Sequence, residues 1–167
     1  LYIHFPKSEE LTVAARKRFA FEEVFYMQIK NWKERAEAKH SLSYAIKHDK
    51  KRLASFMGQF PFTPTDAQIN AIDSILSDLA RNEPMGRLLE GDVGSGKTFV
   101  AACVTKEVVS TRSDTGISLQ VAYMAPTEIL AKQHFESFVS YFRGTGVEVG
   151  LLTGSGCKKY PSKINDE

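Results

Sequence analysis

The chain has 167 residues, of which 43% are hydrophobic and 25% charged, and this composition is that of a soluble globular protein with one domain or one domain plus an appendage. No apolar run approaches the roughly 18 to 20 residues that span a bilayer, and the N-terminus lacks the pattern of a secretory signal, so we expect a cytoplasmic protein without a membrane partner. The net charge of +2 is unevenly distributed, because residues 1–60 hold 12 Lys/Arg against 7 Asp/Glu, whereas residues 61–167 hold 10 against 13.

The N-terminal part has a helical pattern. Ser8 is a candidate N-cap, and an apolar stripe follows it at spacings of three and four residues: Phe21, Phe25, Ile29, Trp32 and Ala36. A second helical stretch over 45–57 carries a basic cluster made of Lys47, Lys50, Lys51 and Arg52. This cluster could contact a polyanion, and a solvated helix face explains the same charge excess.

Two prolines, Pro61 and Pro64, end this pattern and indicate a boundary between an N-terminal helical segment, 1–60, and a second domain, 61–167. Beyond them, predicted helices at 65–82, 98–110 and 127–142 alternate with predicted strands at 85–89, 119–124 and 147–152. Such alternation is typical of βαβ units and predicts an α/β fold with a parallel sheet covered on both faces. Cys103 and Cys157 are too few and too far apart for a disulfide framework or a metal site.

A glycine-rich loop lies between the first predicted strand and its helix. The run Gly91, Asp92, Val93, Gly94, Ser95, Gly96, Lys97, Thr98 matches the P-loop pattern G-x-x-x-x-G-K-[S/T]. Its glycines allow backbone N–H groups to converge on phosphate oxygens, and the N-terminus of the next helix favours the same anion. Lys97 would reach the terminal phosphates, and the hydroxyl of Thr98 would bind Mg²⁺. The sequence therefore predicts a site for a nucleoside triphosphate, ATP, with Mg²⁺.

Four segments in register resemble the RecG branch-migration helicases of superfamily 2. They are the stretch Pro61–Gln68, the P-loop Gly91–Thr98, the segment Met124–His134 and the run Leu151–Ser155. The beginning of the chain is similar to the helix that precedes the motor in that family. The resemblance implies a RecA-like P-loop NTPase domain, truncated, after an N-terminal helical segment. It also implies an ATP-dependent DNA helicase that remodels branched or forked duplex in repair and recombination.

The resemblance assigns further residues. Phe62 and Gln68 fall where such motors read the adenine ring, although Thr65 and Gln68 also form a capping-box pattern. Pro126, Thr127 and Glu128 fall in a motif that holds a DNA strand at a helix N-terminus, although Thr127 could be merely an N-cap. A further strand-contacting motif matches Thr153 and Gly154.

One motif of the family is not found. Hydrolysis requires an acidic residue that holds Mg²⁺, which the family takes from a D-E-x-H motif, and Asp166-Glu167 does not follow an apolar strand. We therefore expect the 167 residues alone to be inactive as an ATPase. Two alternatives stay open at this point: a non-hydrolysing nucleotide-binding regulatory module, and a translocase of the transcription-repair coupling type. A small-molecule kinase would leave the Gln68 and Met124–His134 segments unexplained.

Overall fold

The computed structural model describes residues 4–38, 41, 43–113 and 116–161, and it divides the chain into two compact units, Leu1–Ser43 and Tyr44–Glu167. This division lies before the predicted boundary at residue 60, because the segment from Tyr44 onward makes its contacts with the second unit. The assignment of 61–167 to an incomplete RecA-like domain stays a prediction. No helix in the described part of the chain is long and apolar enough to cross a membrane.

The first unit is one long helix, α1, over Glu9–Ala38. Ser8 caps it as predicted, since the Leu11 amide donates to the Ser8 hydroxyl at 3.4 Å. The predicted apolar stripe is present but is not covered within this unit, because Phe21, Phe25, Ile29 and Trp32 are all largely exposed.

The second unit contains four helices and a hairpin among its described residues: α2 (Lys50–Met57), α3 (Asp66–Leu79), α4 (Lys97–Ser110), α5 (Glu128–Phe142), β1 (Val149–Thr153) and β2 (Gly156–Tyr160). The predicted helix at 45–57 begins later than expected, because Asp49 caps it by accepting from the amides of Lys51 and Arg52. The predicted helices at 65–82, 98–110 and 127–142 are confirmed, with small shifts at their ends.

The predicted parallel sheet is the main difference. Within the described residues the only sheet has two strands, β1 and β2, which run antiparallel with Leu151 opposite Lys158. The predicted strands at 85–89 and 119–124 are not assigned as strands. An extended segment becomes a strand only when a neighbour accepts its N–H groups and donates to its C=O groups, and the described part of the chain supplies no such ladder to either segment.

The hairpin itself was not predicted, since no strand was expected after residue 152. Gly154 and Ser155 form a two-residue turn, and Gly156 follows with a φ of +141°, a value that favours glycine. The predicted strand at 147–152 is thereby found as β1, with an antiparallel partner.

The core of the second unit lies between α2, α3, α4 and α5. It is built from buried aliphatic and aromatic side chains, mainly Leu53, Phe56, Ile72, Leu76, Phe99, Val100, Phe138 and Phe142. The ring of Phe56 stacks on that of Phe142 at 5.3 Å, and Phe60 meets Phe99 edge to face at 4.7 Å. Because Phe99 follows directly after the P-loop residues Lys97 and Thr98, this packing anchors the start of α4.

One buried ion pair connects α2 to α4. Glu107 is fully buried, and its carboxylate accepts from Arg52 Nε at 3.0 Å, from Arg52 Nη2 at 2.6 Å and from the Asp49 amide at 2.8 Å. The Glu107 carboxylate in turn raises the pKa of Arg52. On the same helix, burial first and Glu107 second raise the pKa of Cys103 to about 12.

Candidate nucleotide-binding site

The P-loop is a tight turn that leads directly into α4. Gly94 and Gly96 have φ values of +80° and +83°, which L side chains rarely adopt, and Gly96 is the N-cap residue of the helix. No side chain caps α4, so the first amides of the helix are left for another acceptor. A glycine turn that opens an uncapped helix is the arrangement that binds phosphate in proteins.

Close approach of side chains is a reason for glycine at Gly91 and a second reason at Gly96. A Cβ atom on Gly91 would lie 2.5 Å from Ser95 Oγ, and one on Gly96 would lie 2.4 Å from Gln68 Nε2. Both distances are shorter than real contacts of a Cβ atom. A side chain at either position would therefore force the Ser95 hydroxyl or the Gln68 amide to move.

Lys97 folds back over the loop. Its ammonium donates to the carbonyl oxygens of Gly91 at 2.6 Å and Asp92 at 2.8 Å. The predicted phosphate-binding cation is thus held against the loop by two peptide oxygens. Thr98, the predicted Mg²⁺ ligand, is half-buried on the first turn of α4. The described residues contain no cluster of three or more His, Cys, Asp or Glu side chains that could hold a metal ion.

Gln68 connects the predicted adenine-binding segment to the P-loop. Its Oε1 accepts from the Thr65 amide at 3.0 Å, and its Nε2 donates to the Ser95 carbonyl at 2.9 Å. The capping box is therefore present, with the Thr65 hydroxyl accepting from the Gln68 amide at 3.3 Å. An amide side chain has two N–H donors and two acceptor lone pairs, so one of each is still available for a base.

Phe62 lies beside the same loop. Its ring is 45% exposed and packs against Phe99 at 5.2 Å and Phe60 at 5.6 Å. The structure thus brings together the two predicted adenine contacts, Phe62 and Gln68, and the predicted phosphate loop, although these segments are about thirty residues apart in the sequence.

The predicted DNA contacts form a second group. Thr127 is the N-cap of α5, because its hydroxyl accepts from the Leu130 amide at 3.3 Å. Pro126 and Gly154 are exposed, and Thr153 Oγ1 lies 3.2 Å from Ser155 Oγ in the hairpin turn. Contact between Glu128 and Ser155 joins the turn to the start of α5.

The Glu128 side chain is engaged within the protein. Its carboxylate binds the Lys132 ammonium at 2.7 Å and accepts from the Ser155 hydroxyl. Lys132 first and Ser155 second hold the pKa of this carboxyl below its usual value. A carboxylate repels phosphate, so a DNA strand at this point would meet the Glu128 backbone rather than its charge.

The structural roles of two residues were not predicted from the sequence. Ser155 lies in the Leu151–Ser155 run but was not singled out, and only its contact with Glu128 shows its part in joining the two segments. Glu107 is the only acidic residue of α4, and its partner was not predicted. A single acidic residue in such a helix is a signal that could have been used, because a buried carboxylate requires a cationic partner.

Comparison with known proteins agrees with this geometry. Residues 65–166 match the family model of the DEAD/DEAH box helicase. Over 154 residues, 92% of this chain, it is 40% identical to an ATP-dependent DNA helicase RecG from Staphylococcus aureus, and over 139 residues it is 43% identical to that of Aquifex aeolicus. A solved structure of RecG bound to a three-way DNA junction superposes with a TM-score of 0.65 at 38% identity, over 84% of this chain and 18% of that one.

The similarity to RecG gives the fold class of the chain. The chain spans about a fifth of the length of its curated relatives, 21% for the Staphylococcus aureus protein and 17% for that of Aquifex aeolicus. It has the RecA-like helicase fold of the RecG structure, with the antiparallel hairpin as the only sheet among the described residues. The family model covers more than half of the chain and includes the P-loop, the start of α5 and the hairpin, and the chain therefore belongs to the DEAD/DEAH box helicase family.

Proposed function

We propose that this chain is the ATP-binding part of a DNA helicase or translocase that remodels branched DNA, as in replication forks and recombination intermediates. The observation that carries the proposal is the convergence of Gln68, Phe62 and the P-loop at the start of α4. The relatives reported above favour this class over the transcription-repair translocases. Action on DNA supports a cytoplasmic location.

In the proposed site, the backbone amides of the P-loop and the first turn of α4 bind the triphosphate. Lys97 leaves the carbonyls of Gly91 and Asp92 and places its ammonium against the terminal phosphates. This contact is worth roughly 4 kcal/mol of gross attraction per unit charge at an effective dielectric near 20. Gln68 offers its remaining donor and acceptor to the adenine edge, and Phe62 lies beside it. The Thr98 hydroxyl would help to hold Mg²⁺, which when bound would supply positive charge to the phosphates.

The proposed DNA contacts lie at the start of α5 and in the hairpin turn. Amides at a helix N-terminus bind a phosphate of the DNA backbone and carry no sequence information. Pro126, Thr127 and the Glu128 backbone would supply this contact, while Thr153 and Gly154 would contact the same strand from the turn. The RecG structure with a three-way DNA junction supports a branched partner.

The first test is a calorimetric titration of the protein with Mg·ATP, comparing wild type with Lys97→Ala. We expect Lys97→Ala to weaken binding at least tenfold, and the control Lys30→Ala, an exposed lysine of α1, to leave the affinity unchanged. A Lys97→Ala variant that binds as tightly as wild type would refute the site.

A further inference from the structure

The basic cluster lies at the start of α2: Lys47 precedes the helix, and Lys50 and Lys51 are its first residues. Lys47, Lys50 and Lys51 are exposed, and none of them forms an ion pair within the described residues. On α1, by contrast, Lys30 pairs with Glu34 and Lys33 with Glu37, each four residues further along. Three and four residues after Lys50 and Lys51 the side chains are Leu53, Ala54 and Ser55. Pairing four residues apart on a solvated helix face therefore accounts for Lys30 and Lys33. Lys50 and Lys51, like Lys17 of α1, have no such partner among the described residues.

The positions of Lys50 and Lys51 are also unfavourable for the stability of α2. Lys50, Lys51 and Arg52 occupy the first turn of α2, which has no acidic residue. The N-terminal end of a helix carries a partial positive charge, so cations are unfavourable there and carboxylates are favourable. The carboxylate of Asp49 is engaged by the amides of Lys51 and Arg52, at 2.8 and 3.3 Å, and caps the helix. Local charge placement that works against stability indicates a functional site.

Arg52 differs from the three lysines because its charge is paired. Its guanidinium binds the buried carboxylate of Glu107 through two nitrogen atoms, and the Asp49 amide donates to the same carboxylate. Just before α2, the Ile46 amide donates to the Leu79 carbonyl at 2.8 Å. The cluster is therefore held from both ends against α4 and α3. Arg52 pairs with Glu107, so that carboxylate does not offset the charge of the lysines, and the single charge of Asp49 offsets it only in part.

We propose that Lys47, Lys50 and Lys51 form a second surface for the phosphate backbone of DNA, held in a fixed register to the P-loop helix by the Arg52–Glu107 pair. Lysines are point charges that attract phosphates without reading bases. The surface therefore takes duplex of any sequence. It is separate from the proposed contacts at Thr127 and the hairpin turn, and it rests on the proposed function only in that the protein binds DNA.

The test measures duplex binding by the full-length protein over a range of salt concentrations. Each phosphate contact contributes about 0.9 to the slope of log affinity against log salt. The variant Lys50→Gln/Lys51→Gln is expected to reduce that slope by about 2, with ATP affinity unchanged. The matched control, Lys30→Gln/Lys33→Gln, removes the same charge from α1 and is expected to retain the wild-type slope.

Four results would overturn the inference. A wild-type slope in the α2 variant would do so, as would an equal loss of slope in the α1 control. A loss of binding to polyglutamate, with duplex binding intact, would assign the surface to an acidic protein instead. Absence of any duplex binding by the wild type would overturn the proposed function together with this inference, so the two failures are distinguishable.

Discussion

At the scale of single residues, the geometry of the P-loop depends in part on a residue outside the motif. Gln68 belongs to a different segment, yet its amide nitrogen binds the Ser95 carbonyl and occupies the space beside Gly96. The sequence pattern accounts for Gly96 only through the backbone freedom of glycine. The structure adds a steric reason, because any side chain there would displace Gln68 and its capping box.

Two glycines of the loop allow this steric effect to be separated from backbone strain. Gly94 and Gly96 have nearly the same φ, but a Cβ atom on Gly94 would meet nothing within 4 Å. We expect Gly94→Ala to lower the free energy of unfolding by about 1 kcal/mol through strain, and Gly96→Ala to lower it by more. Urea denaturation of both variants measures the difference. Equal losses would show that Gln68 does not restrict position 96.

At the scale of helices and strands, the elements of the second unit are joined by a few polar contacts as well as by the core. Glu128 joins α5 to the hairpin turn through Ser155, and Arg52 joins α2 to α4 through Glu107. The two contacts differ in their surroundings. Glu128 is accessible to water, whereas Glu107 is fully buried, so we expect different consequences when each is broken.

The Glu128 contact can be followed by its titration. Because its pKa in the folded protein is lowered from 4.5, its ionisation favours the folded state above that pH. This contribution is lost as the pH falls below 4.5 and through the folded-state pKa. NMR titration of the carboxyl groups should show a higher Glu128 pKa in Lys132→Met and a smaller increase in Ser155→Ala. An unchanged pKa in Ser155→Ala would contradict the contact with the hairpin turn.

Removal of Arg52 should cost far more. In Arg52→Met the buried carboxylate of Glu107 loses its cationic partner, and we expect unfolding free energy to fall by on the order of 3 kcal/mol. The control is Arg18→Met, which breaks the exposed Arg18–Glu22 pair of α1 and should change stability by less than about 1 kcal/mol. Chemical denaturation gives both values. Similar small losses in the two variants would mean that the α2–α4 pair does not stabilise the fold.

The helices were predictable from the sequence because their signals are local. Thr65 and Thr127 cap the helices that follow them, and apolar residues at spacings of three and four, such as Ile72 and Leu76, face the core. The pairing of strands was not predictable in the same way. It depends on which segment lies alongside, and the turn at Gly154 and Ser155 gave β1 a local antiparallel partner. The contacts of Gln68 with Ser95 and of Arg52 with Glu107 link residues 27 and 55 positions apart, beyond the reach of a local pattern.

At the scale of the whole molecule, the second unit has a buried core on one side and exposed apolar side chains along two extended segments. Leu88 is 79% exposed and Met124 is 92% exposed, and both lie where the sequence predicts strands of a parallel sheet. Leu76, on α3, is fully buried. Apolar side chains left in water contribute little to folding, so stability rests on the helical core.

This contrast predicts the outcome of three substitutions in the 167-residue chain. Leu88→Gln and Met124→Gln should each change the free energy of unfolding by less than about 0.5 kcal/mol, because neither side chain is buried. Leu76→Ala should destabilise by about 2 to 5 kcal/mol. Thermal or urea unfolding of the three variants tests the order. A large loss in Leu88→Gln would mean that this side chain is covered in solution.

The position of Lys97 has a consequence for the energetics of ligand entry. Its ammonium already has two acceptors in the peptide oxygens of Gly91 and Asp92. When a triphosphate binds, the ammonium would exchange these carbonyl oxygens for phosphate oxygens, and it would not be unsatisfied beforehand. The number of hydrogen bonds made by that ammonium therefore changes little on binding, and its share of the measured enthalpy should be small. Between ligands the same two carbonyl oxygens would hold the ammonium again, so the loop would never carry an unpaired cation.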